Sequence, residues 1–147
     1  MTALRRWAPR ALGSLMLLVA APASALVCNV TAQGVAFGAY DTLNASATEG
    51  VGNVQVICLT PVSFTVSLDS GSGSYAQRMM SGGAGQLGYN LYTDSSRTTV
   101  WGDGLGATSN VSASGILVDL PVYGRIPARQ NVGAASYADS ITVTVTY

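Results

Sequence analysis

The chain has 147 residues, of which 10% are charged, with seven acids, seven arginines, and neither histidine nor lysine. That length suits one domain with a single core. Without His or Lys, no Ser-His-Asp triad, Cys-His pair or Ser-Lys dyad can be built, and two cysteines alone do not make a zinc site.

Arg5, Arg6 and Arg10 precede an apolar run over 11–21 and a small-x-small site at Ala23-Ser24-Ala25. This order predicts a secretory signal peptide over 1–25, cut before Leu26, and an exported domain over 26–147. The apolar run falls short of the ~20 residues that a membrane-spanning helix needs, so no stable membrane insertion is expected. Beyond the leader the charged residues are Arg78, Arg97, Arg125, Arg129 and the seven acids, a net charge of −3. Such a surface attracts neither nucleic acid nor anionic lipid.

Downstream, alternation and punctuation predict strands over 28–35, 50–59, 62–68, 87–92, 114–123 and 141–147. Between them lie turn-forming stretches such as Asp69-Ser70-Gly71-Ser72-Gly73-Ser74 and Ser81-Gly82-Gly83-Ala84-Gly85. No segment of helical length shows a 3.6-residue apolar period. Cys28 and Cys58 are the only cysteines. In an exported chain they read as one disulfide that closes a loop of about 30 residues. Six or seven short strands with one disulfide fit an all-β, two-layer antiparallel sandwich.

The last strand carries Ile141, Val143, Val145 and Tyr147 on one face and Thr142, Thr144 and Thr146 on the other, and no further strand follows it. A sandwich that stops here lacks its final strand. The expected result is an exposed apolar groove and an unpaired edge, ready for an extended segment from another chain.

Several motifs carry a family resemblance. They are Phe37-Gly38-Ala39-Tyr40-Asp41, Val54-Gln55-Val56-Ile57-Cys58, Leu87-Gly88-Tyr89-Asn90-Leu91-Tyr92, Val100-Trp101-Gly102-Asp103-Gly104, Val122-Tyr123-Gly124-Arg125-Ile126-Pro127 and Tyr137-Ala138-Asp139 with the strand after it. In this order they resemble the spore coat protein U domain, a family that includes subunits of archaic chaperone–usher pili. The resemblance implies an incomplete immunoglobulin-like sandwich that lacks its last strand. A periplasmic pilus chaperone lends it a strand, and an outer-membrane usher exchanges that strand for one from a neighbouring pilus subunit. It also implies an exported protein that ends in a surface fibre for attachment and biofilm formation.

Pilus subunits of this kind carry a donor segment before the first cysteine, whereas cleavage before Leu26 leaves Leu26 and Val27. Two residues span at most ~7 Å. The expectation is a terminal subunit, a tip or a cap, that accepts a strand without giving one.

Ile141, Val143, Val145 and Tyr147 are the candidate chaperone and donor-strand groove. Trp101 and Arg125 are candidate surface contacts, against the plainer readings of a packed Trp and a solvated Arg. Gly38, Gly102 and Gly124 are expected in turns. Asp94 and Asp103 could form a glycosidase-like pair, or with Asp69 a calcium site, but no ligand spacing recurs among them. No catalytic residue, metal or cofactor is expected. Two alternatives stand beside the pilus reading: a self-contained secreted coat or matrix protein, and a small outer-membrane β-barrel.

Overall fold

The computed structural model describes residues 27–147 apart from Ala84, so the leader expected over 1–25 lies outside the described residues. Six strands form: β1 (Cys28–Gln33), β2 (Thr48–Leu68), β3 (Arg78–Gly82), β4 (Gly85–Tyr92), β5 (Val111–Ile126) and β6 (Val143–Thr146). All pairings are antiparallel, in the order β1-β2-β5-β4-β3, and β6 also pairs with β2. Among the described residues no ladder joins β1 to β3. The sheet therefore stays open where an outer-membrane barrel would be closed.

The strands expected over 50–59 and 62–68 are one strand, β2. Pro61 has no N–H to give to a ladder and reads as a break in sequence. In the fold it sits at a bulge, where Ile57 faces Leu117 but Val62 faces Gly115, so that residues 58–61 lie opposite Ile116. The same face of β2 stays inward on both sides of the bulge, burying Val54, Val56 and Cys58 before it and Phe64, Val66 and Leu68 after it. Because β2 and β5 run unbroken along the domain, one curled sheet wraps the core. Met80, Leu87, Tyr89, Leu91, Trp101, Val122 and Ile126 complete the buried cluster.

The Cys28–Cys58 disulfide joins β1 to β2, with Cα atoms 4.1 Å apart. Leu59 N–H donates to the Val27 carbonyl beside it. The cysteines thus occupy a non-hydrogen-bonded pair, where facing side chains come closest. After β1 the chain leaves the edge of β2 and crosses the inner face of the sheet. Two glycines permit the crossing: Gly50 and Gly124 face each other across β2 and β5. A Cβ on Gly124 would lie 2.6 Å from Phe37 Cζ, and one on Gly50 would lie 2.8 Å from the Ala36 carbonyl oxygen. Gly124 is therefore a packing position within a strand, not the turn expected from sequence.

Strand β3 escaped the periodicity because a charged residue, Arg78, occupies an inward position. Arg78 is fully buried. Its guanidinium donates to the Asp69 carbonyl at 2.6 and 3.0 Å, to the Trp101 carbonyl at 2.7 Å and to Asn90 Oδ1 at 2.7 Å. A buried charge survives only when its donors are satisfied in this way. The three acceptors come from the loops after β2 and β4 and from β4 itself, so Arg78 ties separate parts of the chain together. Arg78→Met is expected to leave all three without this donor and to lower stability by about 3 kcal/mol or more; the urea midpoint of unfolding measures it.

Candidate functional site

Strand β6 takes its place along β2 with Thr65 opposite Thr146, Val66 opposite Val145, Ser67 opposite Thr144 and Leu68 opposite Val143. Asp69 N–H donates to the Thr142 carbonyl, so the hydrogen-bonded positions of this ladder are the threonines. By alternation, the N–H and C=O groups of Val143 and Val145 point away from β2. Among the described residues β6 makes no other ladder. It is an open edge, and the side chains that share it face the core.

Beside this edge the interior opens in a groove of about 1080 Å³. One wall is residues 32–42, with Val35, Phe37 and Tyr40 packed against the core; the other is residues 132–143, with Val132, Tyr137, Ile141 and Val143. Core side chains form the floor, among them Leu68, Leu87, Leu91, Val122 and Ile126. Phe37 meets Tyr89 edge to face at 6.0 Å.

The groove-lining candidates divide in two. Ile141 and Val143 line the opening, whereas Val145 packs against the core below it. Tyr147 lies at the far end of β6, 53% exposed, with its ring edge to face on Phe64 at 6.4 Å. The opposite wall contains the Phe37-Gly38-Ala39-Tyr40-Asp41 motif, which the sequence marks by resemblance but not as part of a groove. Its signal was there in the spacing of Val35 and Phe37, but the chain over 34–40 has no strand pairing and does not read as a wall until it is folded against Gly50 and Gly124.

Trp101 is not a surface contact. It is 1% exposed, and its indole N–H donates to the Val66 carbonyl at 3.0 Å. Arg125 is half-exposed and paired within the chain, donating to Glu49 Oε1 at 2.8 and 3.1 Å. Arg97 reaches the other Glu49 oxygen at 3.0 Å.

Residues 14–144 match the Spore Coat Protein U domain model. The chain belongs to this family. Protein U of Myxococcus xanthus is 30% identical over 125 residues, covering 76% of this chain and 70% of that protein. A structural relative is the CsuC–CsuE chaperone–tip adhesion subunit pre-assembly complex from the archaic chaperone–usher Csu pili of Acinetobacter baumannii. Its TM-score is 0.52 at 24% identity over 83% of this chain, which shows a shared fold; the match spans 40% of the compared chain.

In this Spore Coat Protein U domain the loop carboxylates are engaged by their own turns. Asp94 accepts from the Ser96 hydroxyl and from the N–H groups of Thr98 and Thr99, contacts that hold its carboxyl well below the usual range. Asp103 accepts from Leu105 N–H and the Thr108 hydroxyl. Among the described residues no group of three or more His, Cys, Asp or Glu side chains is placed to hold a metal.

Asp69 anchors the start of β6. Its Oδ1 accepts from Thr142 N–H at 3.0 Å and Gly71 N–H at 3.1 Å. Burial pushes the carboxyl upward, but hydrogen bonding from Thr142 and Gly71 and the nearby Arg78 outweigh it, and the pKa falls below its ordinary 3.8. A depressed carboxyl contributes stability that is present above its unfolded pKa and lost as pH falls through the folded one. Stability is therefore expected to drop below about pH 4, with a shallower drop in Asp69→Asn; unfolding followed by circular dichroism across pH checks this.

Proposed function

We propose that this domain is a structural subunit of an exported fibre and that a β-strand supplied by another chain completes it. The observation that carries the reading is the apolar groove bordered by the unpaired edge of β6. An inserted strand would find backbone partners on Val143 and Val145 and apolar seats beneath. Four or five seated side chains at ~1.5–3 kcal/mol each give a gross gain of about 6–15 kcal/mol, to which ladder hydrogen bonds add register. Membership of the Spore Coat Protein U family supports this reading, as does a fold shared with a chaperone–usher pilus complex.

The partners in this proposal are a periplasmic chaperone that lends the first strand, an outer-membrane usher that catalyses its exchange, and neighbouring subunits that replace it. The protein passes through the periplasm and functions at the cell surface, in attachment and biofilm formation. Its role is mechanical and involves no catalytic step. Ile141, Val143, Val145 and Tyr147 contribute the β6 side of the acceptor site.

Expression of the mature chain in a periplasm tests the proposal. Alone it is expected to aggregate or be degraded, and its cognate chaperone is expected to rescue it as a stoichiometric complex. Stable monomer in equal yield without a chaperone would instead favour the self-contained coat protein. Val143→Asp places a charge on the groove face and is expected to lower recovery of the chaperone complex at least tenfold, measured by co-purification. Position in the fibre follows from mass spectrometry of the mature N-terminus: a start at Leu26 assigns the subunit to an end, and a longer extension before Cys28 assigns it to the shaft.

A further inference from the structure

The two walls of the groove are tied together at one point. Among the described residues, each hydrogen bond between the 34–42 wall and the 127–142 segment is made by the Tyr40 hydroxyl, which donates to the Pro127 carbonyl at 2.9 Å and accepts from Gln130 N–H at 2.8 Å. Gln130 in turn holds the edge of β4. Its Oε1 accepts from Gly88 N–H at 2.8 Å and its Nε2 donates to the Gly88 carbonyl at 2.7 Å, the two bonds that a neighbouring strand would make. Gly88 leaves room for side chains on both flanks, since a Cβ there would lie 2.4 Å from Gln77 Nε2 and 3.0 Å from Gln130 Oε1. Arg129, the residue before Gln130, adopts a left-handed φ of 59°. A non-glycine residue takes that conformation at a cost, so it is met where surrounding contacts hold it.

This clamp brings together the motifs of Tyr40, Gly88 and Pro127, which are far apart in sequence. At the other end of the groove the walls separate to join β1 and β6 at different places along β2, and among the described residues no hydrogen bond crosses there. The groove thus has a closed end and an open end.

We propose that the Tyr40 hydroxyl, with Gln130, is the end stop of the acceptor groove and sets how far an inserted strand can seat, and hence its register. The inference rests on the strand-acceptor reading above. Tyr40 is a positioning residue: it acts by holding the walls together where the β4 edge is already occupied. A strand that enters from the open end pairs along β6 until it meets the clamp. Segments too long on that side are excluded, and the stop discriminates among donors of similar apolar pattern.

The full mature chain, purified with its chaperone, is challenged with a fluorescent alternating valine–threonine peptide of about ten residues. Versions carrying bulky extensions at one end or the other are compared with it. For the wild type, extension at one end is expected to be neutral and extension at the other to slow incorporation roughly tenfold or more. In Tyr40→Phe, which removes both hydrogen bonds between the walls, that asymmetry is expected to vanish, so that either extended peptide is incorporated as fast as the unextended one. Gln130→Ala frees the β4 edge and is expected to relax the same end should Tyr40→Phe fail to accumulate. Equal tolerance at both ends of the wild type, or asymmetry that persists in the variants, overturns the end stop alone. A wild-type chain that takes up no peptide overturns the strand-acceptor reading and the end stop with it.

Discussion

Backbone N–H and C=O groups demand partners, and β2 is where this sheet meets most of that demand. β5 runs along one side of it for nearly its full length, while β1 and β6 share the other side at different levels. That division has two consequences. It holds the first and last described strands on one edge of one strand, and it leaves β6 with a second edge that no ladder satisfies among the described residues. An unpaired edge at the surface is tolerable in water, but one beside an exposed apolar floor adds an unfavourable hydration cost that covering the floor would remove.

The rest of the fold keeps that opening in shape. Buried Arg78 gathers the carbonyls of two loops and Asn90 without a carboxylate partner, so carbonyl dipoles compensate its charge. Asp69 continues the β6 ladder through its side chain. Tyr89, deep in the floor, donates to Asp139 at 2.7 Å and so fastens the 132–143 wall to β4; burial, followed by that hydrogen bond, raises its pKa well above the ordinary tyrosine range. These contacts matter more than the pairing of Glu49 with half-exposed Arg125, since exposed ion pairs contribute at most about 1 kcal/mol.

An acceptor groove whose walls are held by hydrogen bonds would suit the proposed role. In that proposal side chains on the floor would supply affinity without direction, the β6 edge direction, and the closed end register. Separating these three functions would let one groove accept different extended segments while still placing each in a defined position.

The all-β class was legible in the sequence because strand alternation is local: Val62 to Leu68 and Ile141 to Tyr147 show it within a few residues. The single disulfide was equally legible, since two cysteines in a chain expected to be exported have one pairing open to them. The apolar character of the β6 face could also be read directly. Other features had no local signal. Pro61 looked like the end of a strand and proved to be a bulge within one, because β5 runs past it and preserves the sheet. Arg78 interrupted the alternation of β3, and its burial depends on carbonyls brought from distant loops. Trp101 beside glycine could be read as a surface anchor or, more plainly, as a packed residue, and the fold decides for packing, with a β2 carbonyl for its indole. The second wall, and the hydroxyl that ties it to the first, depend on glycines 50 and 124 facing each other across two strands. Local pattern thus determined most of the strands, β3 and the continuity of β2 apart, and which faces are apolar. Long-range pairing decided where those faces meet and where they stay apart, because a groove is a property of two segments that only the folded sheet brings side by side.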